Sequence, residues 1–246
     1  MKKFLLGLLA LTITMTTFSD DKFGIGAGIG ISDSIYKGSN EKAYFMPLLD
    51  INYGDLYAKG STLGYNLYQD DVFAASLFVD PLAGFSINGA NLATGYDGID
   101  DRDFQIMFGL RLDAKTGFYG VKTGLSAQVG EHGAKAKASL FKPYNINDRL
   151  ILIPSIYIKG YSGDYTDYYF GVTSEEARNN KNIDKDYTAN AAYSVGVSFI
   201  ADYKLTDNVA LMAFLGIEQF SSEISDSPII EDGVLYLIGV GAKYYF

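Results

Sequence analysis

The feature that most constrains this chain is a period of two that runs through nearly every extended segment and leaves one face apolar from end to end. From Val234 the even positions are Val234, Tyr236, Ile238, Val240, Ala242, Tyr244 and Phe246, while the odd ones include Gly239, Gly241 and Lys243. From Tyr193 the residues Tyr193, Val195, Val197, Phe199, Ala201 and Tyr203 oppose Ser194, Gly196, Ser198, Asp202 and Lys204. From Phe104, Ile106, Phe108, Leu110 and Leu112 oppose Gln105, Gly109, Arg111 and Asp113, and near the start Phe23, Ile25, Ala27, Ile29 and Ile31 alternate with Gly24, Gly26, Gly28 and Gly30. Side chains of a strand point alternately to opposite faces, so each segment is a strand with one apolar and one polar surface. Aromatic residues close the apolar face at both ends, as in Tyr193/Tyr203 and Tyr236/Tyr244, which is the girdle of a membrane barrel rather than the inner face of a secreted sandwich. The opposite face carries Asp50, Arg111, Asp113, Lys122, Lys159, Asp202, Lys204, Glu218 and Lys243, mixed in sign as a polar lumen requires.

Composition removes the competing classes. The 246 residues are 48% apolar and 20% charged, too apolar for a disordered chain, and the 20 Tyr, 16 Phe and 27 Gly belong to strands and tight turns. No cysteine is present, so neither a disulfide scaffold nor a lipid-anchored lipoprotein is expected. Lys2 and Lys3 precede an apolar run from Phe4 to Met15, too short to cross a bilayer as a helix, and residues 1–19 read as a secretory signal peptide cleaved near Ser19. Its removal takes two lysines with it and moves the formal net charge from −9 to −11, which argues against a nucleic-acid partner. Residues 20–246 are then one barrel domain of the bacterial outer membrane.

Turns set the expected topology. Tyr68-Gln69-Asp70-Asp71, Asn145-Ile146-Asn147-Asp148 and Thr206-Asp207-Asn208 are short and polar and read as tight periplasmic hairpins, whereas residues 83–103, 162–190 and 221–233 read as long external loops. Strands are expected near 22–31, 43–53, 72–82, 104–113, 117–129, 135–145, 150–161, 191–204, 209–219 and 234–246. The segment 55–69 adds a further hairpin, since Leu63, Tyr65 and Leu67 alternate with Gly64 and Asn66. The fold expected is thus an all-β, antiparallel transmembrane barrel of 12 strands, with 10 as the alternative. The final strand ends in Tyr244 and Phe246 on one face, the form of C-terminus that the barrel assembly machinery reads.

Little in the chain points to chemistry. A Ser-His-acid arrangement needs His132, which falls in the turn Glu131-His132-Gly133, with Ser126 and Ser139 several residues down the flanking strands. The acidic run Asp97-Gly98-Ile99-Asp100-Asp101-Arg102-Asp103 lacks calcium-loop spacing and contains an arginine, so it reads as a solvated loop beside cation-bridged lipopolysaccharide. Gly24-x-Gly26-x-Gly28-x-Gly30 alternates within a strand and leads into no helix, so it is not a phosphate loop. These glycines leave room in the lumen for large neighbours. No enzyme activity, cofactor or metal is expected.

Several stretches resemble the MipA/OmpV family of outer-membrane proteins. They are Tyr169-Phe170-Gly171-Val172 followed by Glu176-Ala177, then Asp226-Ser227-Pro228-Ile229-Ile230, with Pro47-Leu48-Leu49-Asp50, Leu63-Gly64-Tyr65-Asn66-Leu67 and Tyr36-Lys37-Gly38-Ser39 nearer the start. The resemblance implies a non-enzymatic barrel and, in one member, a scaffold joining a lytic murein transglycosylase to a bifunctional penicillin-binding protein; other members are surface or porin-like antigens. Thr173 and Glu176 have capping-box spacing, so a short helix is expected within Phe170–Asn180, and Asp226-Ser227-Pro228 reads as a turn. A murein scaffold must reach its partners from the periplasmic rim, where only short turns are expected. The second reading is a narrow or gated channel, which must contend with Phe141, Tyr157, Phe214, Phe220 and Tyr245 on lumen-facing positions.

Overall fold

A computed structural model describes residues 21–38 and 43–246. The expected signal peptide, residues 1–19, lies outside them. The chain forms twelve antiparallel strands: β1 (Lys22–Ser32), β2 (Ala43–Tyr53), β3 (Leu56–Gly60), β4 (Thr62–Gln69), β5 (Phe73–Ala83), β6 (Gln105–Lys115), β7 (Lys122–Gly130), β8 (Gly133–Phe141, resuming as Tyr144–Asn145), β9 (Leu150–Tyr161), β10 (Ala192–Lys204), β11 (Val209–Phe220) and β12 (Val234–Tyr245). Each strand pairs with its neighbours in sequence, and β1 pairs with β12 from Gly24↔Tyr245 to Ser32↔Leu237, so the sheet is closed. The hairpin over residues 55–69 exists, as β3 and β4, and gives the count of twelve.

The alternation resolves as outside and inside. Ile25, Ile29, Ile31, Ile106, Phe108, Val195, Val197, Ile238 and Val240 are all exposed on the outer wall. Aromatic pairs mark the periplasmic end of that wall: Phe23 with Tyr53, Tyr68 with Phe73, and Tyr244 with Phe246, at 6.0, 6.2 and 5.0 Å between ring centroids. Apolar side chains of this kind are stable only against lipid, and closure leaves no unpaired edge around the ring except at one place. There β3 and β4 stop short, the last pairs being Leu49↔Gly60 and Leu63↔Val79, so β2 above Leu49 and β5 above Val79 lack a ladder partner on their facing edges. Pro47 and Pro81 fall on those two edges, where a missing N–H costs least.

Inward-facing glycines make room for aromatic rings. A methyl group on Gly196 would collide with Tyr157, and one on Gly24 with Tyr245, on the neighbouring strands. Each pair costs backbone entropy and recovers it as close packing of a large side chain inside a narrow lumen.

One local expectation changes and one element is new. The strand expected from residue 117 begins at Lys122, because Thr116–Val121 is a turn in which the Thr116 N–H donates to the Val121 carbonyl over 3.0 Å. Gly117 and Gly120 there have φ of +73° and +75°, which no strand tolerates. A helix absent from the sequence reading, α1 (Gly163–Phe170), precedes the helix expected within Phe170–Asn180, which is present as α2 (Ser174–Asn179). Gly171 caps the first, and the Thr173–Glu176 capping box starts the second. A third short helix, α3 (Ser222–Ser225), precedes Asp226, its C-cap.

Candidate functional site

The long external loops pack against one another over the end of the barrel. Ile35, Tyr36, Ile87, Tyr165, Tyr169, Phe170, Val172, Ile224, Ile229 and Ile230 come from four separate connections and share one buried apolar core with Met107 and Phe220 at the barrel mouth. Phe85, half-buried, packs against this core, 5.1 Å from Phe170, 5.8 Å from Phe220 and 6.0 Å from Tyr169. The loops thus form a cap with an interior of its own.

The residues that carry the family resemblance build this cap. The Tyr36 hydroxyl donates to the carbonyls of Phe85 and Tyr169 at 3.0 and 3.1 Å, and its ring stacks on Phe170. Ser227 Oγ donates to the Phe170 carbonyl at 2.6 Å, locking the segment Asp226-Ser227-Pro228 onto α1. Val172 pairs with Tyr187 through two backbone bonds of 2.8 Å, and Ala177 is buried in the core. Arg102 Nη2 lies 2.7 Å from Glu176 Oε1 and 3.5 Å from the Gly171 carbonyl. Glu176 also accepts from the amides of Asp100, at 3.0 Å, and Thr173, at 2.8 Å. Burial pushes the Glu176 carboxyl up, but those amides and the Arg102 guanidinium outweigh it and hold the group below the ordinary carboxylate range. Burial drives the Tyr36 phenol well above its usual value, so it stays a donor.

Arg102 is therefore the keystone of the acidic run, and Asp101 beside it accepts from the Gly89 amide at 2.9 Å. Sequence reading missed this role, although a single arginine among four carboxylates was the available sign. Among the described residues no group of three or more potential ligands is arranged to hold a metal. His132 stacks face to face on Tyr168 at 3.5 Å, and Ser139 Oγ donates to the Gly124 carbonyl.

Below the cap the expected lumen charges fall into separate groups. Glu218, fully buried, accepts from Ser194 at 2.6 Å, Lys159 at 2.7 Å, Tyr157 at 3.0 Å and Tyr161 at 3.2 Å. Arg111 and Asp113 meet through two bonds of 2.6 and 3.1 Å. Near the periplasmic end Asp50 accepts from Lys22 at 2.9 Å, from Tyr245 at 2.7 Å and from Lys59, while Lys243 lies 3.7 Å away and binds Asp202 at 2.6 Å. Lys122 and Lys204 stand apart from these groups at the periplasmic rim, Lys204 turned onto the exposed Asp207 at 2.8 Å. Between the groups, Phe141, Ile153, Ile200, Phe214 and Leu237 form an apolar cluster that fills part of the lumen.

The Asp50 group joins β1, β2, β3 and β12 and so bridges the closing seam. Asp50→Ala leaves Lys22 and Lys59 without a carboxylate partner among the described residues and is expected to lower barrel stability by about 3 kcal/mol. A lowered urea midpoint in detergent micelles would show it, and an unchanged midpoint would mean that water replaces the carboxylate without loss.

The family described as MltA-interacting protein MipA matches residues 25–246, nearly the whole chain. The chain belongs to the MipA family. Among relatives of this MipA-family barrel is the 24 kDa outer membrane protein of Pasteurella multocida (strain Pm70), 31% identical over 91% of this chain and 90% of the relative. Another is the MltA-interacting protein of Escherichia coli (strain K12), 23% identical over 100% of this chain and 99% of the relative. The outer membrane protein OmpV of Vibrio cholerae is 26% identical over 63% of this chain. Similar solved structures include the NanC porin (TM-score 0.48, 6% identity, 89% of this chain and 98% of that one) and the KdgM porin (TM-score 0.48, 11% identity, 91% and 99%). This MipA-family chain is an outer-membrane β-barrel of a Gram-negative envelope.

Proposed function

We propose that the protein is a non-enzymatic interaction barrel, a scaffold that holds its place in the outer membrane and binds envelope partners at its rims. The observation that carries this reading is that the outer mouth is covered by a packed cap while an apolar cluster occupies the lumen beneath it. Neither feature suits a free diffusion path. His132 spends its ring on Tyr168, and the serines nearest it in sequence lie away from it, which supports a role without acyl chemistry.

A relative over the whole chain is named MltA-interacting protein, and a lytic murein transglycosylase, with a penicillin-binding protein recruited beside it, is the partner class proposed here. The turn between β6 and β7 gives the periplasmic rim a suitable tip. Phe118 and Tyr119 are 67% and 77% exposed there, 4.6 Å apart, with Tyr119 at a φ of +46°. Exposed aromatics on a rigid tip are the anchors that protein interfaces favour. Calorimetry of the barrel in detergent against a purified lytic transglycosylase tests this. Binding that weakens at least tenfold in the Phe118→Ser/Tyr119→Ser variant is expected, and absence of binding to the native barrel would remove the scaffold reading. Tyr244 and Phe246, exposed at the end of β12, are proposed to serve recognition by the assembly machinery.

A further inference from the structure

Just beneath the cap, a cavity of about 70 Å3 lies against β6 to β9, where Arg111, Ser126, Gln128, Lys135, Lys137 and Lys159 border it. On this measure a single water occupies roughly 10–15 Å3, so the space suits a tetrahedral oxyanion or a few waters. One side of its wall is a row of donors, Arg111, Ser126, Lys137 and Lys159, extended beyond the cavity by Ser76 and Ser194, while the Asp80 carboxylate and Phe78 border it elsewhere. Across the ladder Ser76 faces Arg111, Arg111 faces Ser126, Ser126 faces Lys137, Lys137 faces Lys159, and Lys159 faces Ser194.

Two lysines directly opposite each other repel, and among the described residues no carboxylate pairs with both. Lys159 is paired with Glu218, whose oxygens also take Tyr157, Tyr161 and Ser194. Arg111 holds Asp113, and Asp80 reaches Lys135 only at 3.8 Å. Among the described residues Lys137 has no carboxylate within ion-pair distance; it rests over the Tyr157 ring at 4.7 Å, the same ring that Lys159 approaches at 5.0 Å. The Gln128 carbonyl oxygen is buried without a partner on the same cavity, placed to accept an O–H.

We infer that this chamber is a binding site for a single phosphate-type oxyanion, held by Lys137 and the cationic row and donating its remaining O–H to Gln128. Thr62 and Asp80 border the cavity and also flank the interruption between β2 and β5, so the same phosphate chemistry could arrive free or on an outer-leaflet lipid. The site stands independently of the scaffold reading.

The test is thermal unfolding of the refolded barrel, titrated with inorganic phosphate against chloride at fixed ionic strength. The native protein is expected to gain several degrees. Lys137→Gln is expected to lose that gain while matching or exceeding the native melting point in phosphate-free buffer, because it relieves the Lys137–Lys159 repulsion, and Lys137→Arg is expected to keep it. A parallel titration with lipid A and with its dephosphorylated form separates the sources: stabilisation by free phosphate or only by the phosphorylated lipid supports the site and names the supplier. No stabilisation by either, or an equal gain in Lys137→Gln, overturns it.

Discussion

Replacing residues 162–191 with Asn-Gly is expected to leave a folded barrel that still does not conduct steadily in a planar bilayer. Tyr161 and Ala192 face each other as the last register pair of β9 and β10, so a two-residue turn can join them without strain. The replacement removes α1 and α2 and with them Tyr165, Tyr169 and Phe170, which are the interior of the cap. The apolar cluster around Phe214 remains. Adding Phe214→Ala, which deletes a buried ring from the lumen, is expected to produce steady openings. Steady openings of the intact protein would instead favour the gated-channel reading, with Arg111 and Lys137 as the residues to replace next.

The second large effect concerns Glu176. Glu176→Ala strands Arg102 in the cap with no counter-ion and leaves the Thr173 and Asp100 amides unpaired, a loss of about 3–5 kcal/mol of cap stability. Rapid proteolysis within residues 84–104 and 162–191, with the strands still protected, is the expected result; unchanged cleavage would mean that the apolar core alone holds the loops. The same carboxylate gives the cap a pH dependence. A carboxyl held low in the folded cap stabilises it above the unfolded value of about 4, and that contribution is lost as pH falls through the folded value. Native cleavage rates should therefore rise on acidification below about pH 4 and not on alkalinisation to pH 9.

What was legible in the sequence follows from which interactions are local. The faces of β1, β6, β10 and β12 could be read because a strand has one of two orientations, and a lipid-facing wall forces apolar residues onto one of them. The capping box at Thr173 and Glu176 was legible for the same reason, being a contact over three residues. Helix α1 was not, because Asp164-Tyr165-Thr166-Asp167-Tyr168-Tyr169-Phe170 has strand-like composition and is helical through the Ser162 cap and burial of Tyr165 and Tyr169 in a core made by other loops. Phe118-Tyr119 looked like the start of a strand until its flanking glycines took positive φ. Lys135 and Lys137 were overlooked among the lumen charges although their alternation with Ala134, Ala136 and Ala138 placed them on one face. Arg102 meeting Glu176 joins positions 74 residues apart, and no spacing rule reaches that far.

Every strand of this barrel pairs with its neighbour in sequence except at the seam, where the first and last strands meet. That ladder spans the whole chain and is the most expensive to close in loop entropy, so it forms late. Gly28 faces Gly241 and Gly30 faces Gly239 across it. The two strands that must find each other last therefore do so along a stretch with bare inner faces, where a misaligned register meets little steric resistance and can slide into place. The glycine run of β1 is a hem left smooth for the final stitch.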